Sequence, residues 1–167
     1  NSRFVQVGIW DTIQLEVIKA GEIETLDVRT DADPVTGIGS LKVTGSVNAP
    51  AGSTVKVALF DGSKAVHEAT TATDDFSDAG LSWSDLDVAV WWPNGMGTQP
   101  LYELQVRLLD GDGELIDSVT RQVGFKSITW QANDGAPPDA DPWICVANGT
   151  PFFIAGVNWT PIRSNFA

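Results

Sequence analysis

The chain holds 167 residues, 43% of them hydrophobic, with one cysteine, one histidine and 22 acidic against ten basic side chains, a formal net charge of −12. That length accommodates one full domain of ~100–150 residues with pieces of its neighbours, and excludes a second complete enzyme domain. A lone cysteine excludes an internal disulfide and, with one histidine, a Cys/His zinc site; the acidic excess repels a phosphate backbone, which excludes nucleic acid as a partner.

Taken in order, apolar and polar residues alternate and β-branched types dominate, which predicts strands over 13–19, 23–30, 39–47, 54–60, 64–70, 84–90, 102–109, 115–125 and 144–146, with a further apolar run over 152–157. No stretch sustains helical spacing over three turns, so the chain is all-β. Turn signals separate the strands: Asn48-Ala49-Pro50-Ala51-Gly52, Asp61-Gly62-Ser63 and Asp110-Gly111-Asp112-Gly113. Leu104, Val106 and Leu108 fall on one strand face, and the strand after the Asp110 turn returns as the second arm of a hairpin. Seven or eight strands between residues 21 and 125 match an immunoglobulin-like sandwich without the Cys–Trp–Cys core of antibody domains.

Beyond Phe125 the character changes. Residues 133–142 form a loop by composition; Trp143-Ile144-Cys145-Val146 and Phe152-Phe153-Ile154-Ala155-Gly156-Val157 then read as a hairpin around Asn148-Gly149-Thr150. Its second arm is apolar on both faces, as in parallel sheets and barrels. Cys145, inside an apolar run, reads as a buried thiol. Asn1 is followed by no signal-peptide pattern. The expectation is a piece of a longer polypeptide whose ends, 1–7 and 161–167, fray. The missing disulfides fit a cytoplasm, and no run approaches the roughly 18 apolar residues of a membrane helix.

The chemistry-bearing residues are sparse. The acids sit in turns and on outward strand positions, with nothing to single out a carboxylate pair for glycosidic chemistry. No G-x-S-x-G elbow and no phosphate-binding glycine loop occurs, and His67 reads as an edge or surface strand residue. Asp110–Gly113 lacks the ligand pattern of a calcium loop. No metal and no cofactor is implied. Most distinctive is Trp91-Trp92-Pro93-Asn94-Gly95-Met96-Gly97-Thr98-Gln99-Pro100-Leu101-Tyr102. Adjacent strand residues point to opposite faces, so one indole is expected in the core and its neighbour against an adjoining domain.

Four blocks occur here in the order seen in glycoside hydrolase family 2: Gly8-Ile9-Trp10 with Gln14-Leu15-Glu16, then the Trp91–Tyr102 block, then Val123-Gly124-Phe125-Lys126-Ser127-Ile128, then the run from Asn148-Gly149-Thr150-Pro151 to Asn158-Trp159-Thr160-Pro161. The chain resembles the β-mannosidases and exo-β-glucosaminidases of that family. The resemblance implies that 1–19 is the tail of a jelly-roll sugar-binding domain, 20–130 an immunoglobulin-like middle domain, and 131–167 a linker with the first strand, 152–157, of a TIM barrel. It implies that the catalytic glutamates lie on later barrel strands, that this chain carries no catalytic residue, and that Asn158 and Trp159 bind sugar in the whole enzyme. The implied role is a structural spacer, its partners being neighbouring domains of the same polypeptide and, in the whole enzyme, a carbohydrate. A stand-alone carbohydrate-binding or adhesive sandwich is the alternative. β-Galactosidases and β-glucuronidases of the family usually place Arg-His after the Asn, where this chain has Trp159-Thr160. Two positions depart from the relatives: Ile162-Arg163 replaces their usual Ala-Asp, an acid-to-base change beside a sugar site, and Asp11 replaces Arg.

Overall fold

Hydrophobic alternation with a period of two sets the architecture. A computed structural model of the chain describes residues 12–13, 20–139 and 143–158. One compact unit, Ile18–Phe153, holds every strand named below, and the described residues 12–13 and 154–158 belong to a second. The elements are β1 (Glu22–Ala32), β2 (Ile38–Asn48), β3 (Thr54–Asp61), β4 (Lys64–Ala72), α1 (Thr73–Asp78), β5 (Leu81–Asp87), β6 (Tyr102–Leu109), β7 (Leu115–Val123), β8 (Ile128–Ala132), β9 (Trp143–Ala147) and β10 (Thr150–Phe152). No helix among the described residues is long and apolar enough to cross a membrane.

Two sheets, ordered β1-β2-β5 and β4-β3-β6-β7, form an immunoglobulin-like sandwich, the backbone changing sheet after β2, β4 and β5. The inward residues of both, among them Leu41, Val43, Trp83, Val55, Val57, Leu59, Leu104, Val106 and Leu108, make one core. On the central ladder Val55, Val57 and Leu59 stand opposite Leu108, Val106 and Leu104, all fully buried. Each such side group contributes about 1.5–3 kcal/mol by leaving water. The edges β1 and β7 are tied by the Asp117 carboxylate, which accepts the Ile23 N–H at 2.9 Å. The expected β6–β7 hairpin is present; Asp110 Oδ1 accepts the N–H groups of Asp112 and Glu114, and Gly113 takes φ 86°.

A third sheet, ordered β10-β9-β8, follows the sandwich. Its β9–β10 turn is the two residues Asn148-Gly149, at φ 52° and 78°, as a tight hairpin requires. The sequence pattern predicts neither β8 nor α1. Strand β5 runs Leu81–Asp87, against the predicted 84–90. Asp85, at φ 60°, interrupts the pleat so that Trp83 and Leu86, three apart, both face inward. The ladder resumes at Leu86 and ends at Asp87, and the alternation continues beyond it: Val88 N–H donates to Gly37 O and Val90 makes a lone parallel bridge to Phe125. The apolar run 152–157 is strand only at its first residue. Phe153, Ile154 and Val157 are irregular and exposed, because the described residues offer them no partner strand. The predicted strand 13–19 has only Ile13 described, and the segments 1–7 and 161–167 lie outside the described residues.

Candidate functional site

Three of the four sequence blocks converge where the sandwich meets the third sheet. The segment from Gly124 to Ser127, between β7 and β8, is held there from three directions. From β1, the Thr30 hydroxyl donates to Gly124 O at 2.8 Å. From the β5–β6 crossing, Trp91 N–H donates to Phe125 O at 2.8 Å, its indole lies on Gly124, and Lys126 Nζ stands 5.1 Å from the ring centroid. A Cβ on residue 124 would come within 2.9 Å of the indole, so glycine is what lets the ring sit there.

The third hold comes from the β9–β10 turn. Asn148 is 5% exposed. Its N–H donates to Ser127 O at 2.8 Å, its Oδ1 accepts the Ser127 N–H at 2.9 Å, and its Nδ2 donates to Trp91 O at 2.9 Å. One residue therefore joins the third sheet to the sandwich through both ends of its side-group amide. Sequence reasoning reads Asn148 only as a turn residue; its signal is an asparagine where the turn needs positive φ, and the bond to Trp91, 57 positions earlier, leaves none.

The rest of the Trp91–Tyr102 block is structural in a legible way. Gln99 Nε2 donates to Trp92 O and Gly97 O, Trp92 N–H donates to Thr98 O, and Met96 N–H to Pro93 O, closing a loop. The Tyr102 hydroxyl accepts the Ala89 N–H at 2.9 Å while its ring meets Phe125 edge-on at 5.2 Å. The expectation of one indole in the core is corrected: Trp91 and Trp92 are both half-buried, because each covers a glycine, Gly124 and Gly97, at the rim of the sandwich.

The third sheet carries a further pair of indoles. Trp130 stands opposite Cys145 and Trp143 opposite Ala132, which puts both rings on one sheet face, 57% and 62% exposed, with the buried Cys145 on that same face. Of the predicted sugar-binding residues, Asn158 is exposed and outside any strand, and Trp159 lies outside the described residues. His67 lies exposed on edge strand β4, its ring edge-on to Trp83 at 4.6 Å.

Asp31, Asp33 and Asp85 line one shallow groove of about 250 Å³, each bound to its own neighbourhood: Asp31 to Ala32 N–H, Asp33 to the N–H groups of Val35 and Thr36, Asp85 to the Ser84 hydroxyl. The Val35 N–H, then the Thr36 hydroxyl, hold the Asp33 carboxyl below the usual aspartate range. That is opposite to the raised value a proton donor to a glycosidic oxygen needs. No group of three or more metal-ligating residues occurs among the described residues.

The family model for glycosyl hydrolases family 2 matches residues 21–126. Among curated proteins, the chain is 31% identical to a beta-galactosidase of Photobacterium profundum over 145 residues, 81% of this chain and 13% of that protein. It is 32% identical to beta-mannosidase A of Aspergillus aculeatus over 84 residues, 46% of this chain and 9% of that protein, and 24% identical to beta-mannosidase B of Thermothelomyces thermophilus over 92% of this chain and 18% of that protein. The chain thus spans less than a fifth of the length of these relatives. Among solved structures, an apo β-glucuronidase of Ruminococcus gnavus superposes with a TM-score of 0.60 over 81% of this chain and 19% of that one, at 14% identity, a likeness of fold.

Proposed function

This chain belongs to glycosyl hydrolases family 2, and from that premise we propose that it is the non-catalytic spacer of a retaining β-glycosidase, setting a preceding sugar-binding domain against a following catalytic barrel. On this reading 1–19 closes the jelly roll, 20–130 is the spacer, and 131–167 leads into the barrel, with Asn158 and Trp159 at the sugar site. The observation that carries it is the Asn148 joint: a spacer must fix the direction in which the backbone leaves it, and a buried amide bonded on both sides does so. The exposed indoles of the third sheet supply an apolar face for the neighbouring domain to cover.

The whole protein is proposed to hydrolyse terminal β-mannosidic bonds, supported by the similarity to two beta-mannosidases and by Asn158-Trp159-Thr160-Pro161 in place of Asn-Arg-His. The exposed Trp130 and Trp143 also favour a second reading, a module that stacks glycans on those rings. Two measurements decide. The chain alone, assayed on nitrophenyl β-mannoside, β-galactoside and β-glucosaminide, is expected to release nothing, while the full-length protein cleaves the mannoside fastest; hydrolysis by the chain alone overturns the spacer reading. Titrating the chain with mannose, glucosamine and manno-oligosaccharides should leave its tryptophan fluorescence unchanged, and a saturable change selects the glycan-binding module instead.

A further inference from the structure

The dipeptide Asn-Gly occurs twice, at Asn94-Gly95 and Asn148-Gly149, and the fold treats the two differently. Asn94 is exposed at the tip of the loop that Gln99 closes. Gly95 has φ 82°, and nothing lies within 4 Å of where its Cβ would stand. Among the described residues, no hydrogen bond reaches the Asn94 carboxamide or the Gly95 N–H. The carboxamide of Asn148, by contrast, is buried, its oxygen held by Ser127 N–H and its nitrogen by Trp91 O.

We infer that Asn94 is a site of spontaneous deamidation and isoaspartate formation, and that the joint protects Asn148 from the same reaction. The Gly95 nitrogen attacks Asn94 Cγ, the Cγ–Nδ2 bond breaks, and ammonia leaves with the proton that the Gly95 N–H gives up. The resulting succinimide takes up one water and opens at either carbonyl, giving aspartate or isoaspartate. Glycine permits this because no Cβ blocks the approach of its nitrogen and its backbone reaches angles closed to other residues. At Asn148 the same attack requires the carboxamide to leave both partners, so the turn must first open away from the sandwich, and the reaction is slowed by the rarity of that opening. At Asn94 the product adds a negative charge. As isoaspartate it also lengthens the backbone by one carbon inside the loop that seats Trp92 on Gly97.

The test is incubation of the folded protein in mildly alkaline buffer beside a sample unfolded in urea, with peptide mapping that separates asparagine, aspartate and isoaspartate at each site. In urea both sites convert at similar rates. In the folded protein Asn94 converts within about tenfold of its urea rate, and Asn148 at least about a hundredfold more slowly than Asn94. Urea added below the unfolding transition accelerates Asn148 and leaves Asn94 unchanged, and Asn94→Gln abolishes conversion in its peptide. An Asn94 that stays intact in the folded protein while converting in urea overturns the site. Equal folded-state rates at the two positions, or an Asn148 rate insensitive to sub-denaturing urea, overturns the protection.

Discussion

Asn148 combines two properties that a single substitution confounds: a backbone at φ 52° and a carboxamide bonded at both ends. Asn148→Ala loses both of those bonds, leaves Ser127 N–H and Trp91 O short of a partner, and forces a Cβ-bearing residue without local polar support into the left-handed region. Two hydrogen bonds at about 1 kcal/mol each and a conformational cost of about 1–2 kcal/mol sum to a loss of about 3–4 kcal/mol. Asn148→Gly removes the bonds without the conformational cost and should lose about 2 kcal/mol. Urea unfolding of the pair reads the difference, and equal losses would mean that the turn conformation carries no strain. Asp33 gives the pH counterpart. Its folded carboxyl is held low, chiefly by the Val35 N–H, so its contribution is present above the ordinary aspartate value and is lost as pH falls through the lower folded one. In an NMR titration the Val35 and Thr36 amides should therefore shift in acid below the ordinary aspartate value, and Asp33→Asn should abolish that shift.

At the scale of elements, α1 shows what a strand pattern hides. It is six residues long, has no capping side group at Ala72, and buries one residue, Phe76. Asp74 and Asp75 in its first turn favour the helix dipole, and Gly80, at φ 73°, ends it. A helix this short does not persist on propensity, so the burial of Phe76 beside Gly45 of β2 holds it in place. Phe76→Ala should cost about 3–5 kcal/mol in denaturant unfolding, and a loss under about 1 kcal/mol would show that the site collapses or that α1 is dispensable. The sandwich strands are legible where they alternate with a period of two against the core, as in Tyr102, Leu104, Val106 and Leu108, and β5, whose pleat Asp85 interrupts, is the one whose bounds are misread. Helix α1, shorter than two turns, has no period to read. Strand β8 is exposed at every residue and owes its existence to pairing with β9, a long-range fact absent from its own five residues. The joint lies half in view: the resemblance singles out its blocks, while the three-way convergence on residues 124–127 requires the fold.

At the scale of the whole molecule, two surface properties oppose each other. A net charge of −12 repels like molecules, while Ile128, Trp130 and Trp143 give the third sheet an apolar face, with Phe153 and Val157 exposed further along the sequence. On the spacer reading that face is covered in the full-length protein and bare in this chain. Repulsion between exposed charges is screened over about 10 Å at 0.1 M salt and about 3 Å at 1 M, whereas burial of apolar surface persists. Self-association, followed by sedimentation velocity, should therefore rise with salt. Trp130→Ser combined with Trp143→Ser should abolish the rise while leaving the unfolding midpoint of the sandwich unchanged, because neither ring belongs to its core. On the spacer reading the full-length protein should show no such rise, and acrylamide should quench Trp130 and Trp143 less there than in this 167-residue chain. Equal quenching in the two would mean that the face stays open to solvent in the full-length protein, and the surface assigned to a neighbouring domain would then have to be sought elsewhere on the sandwich.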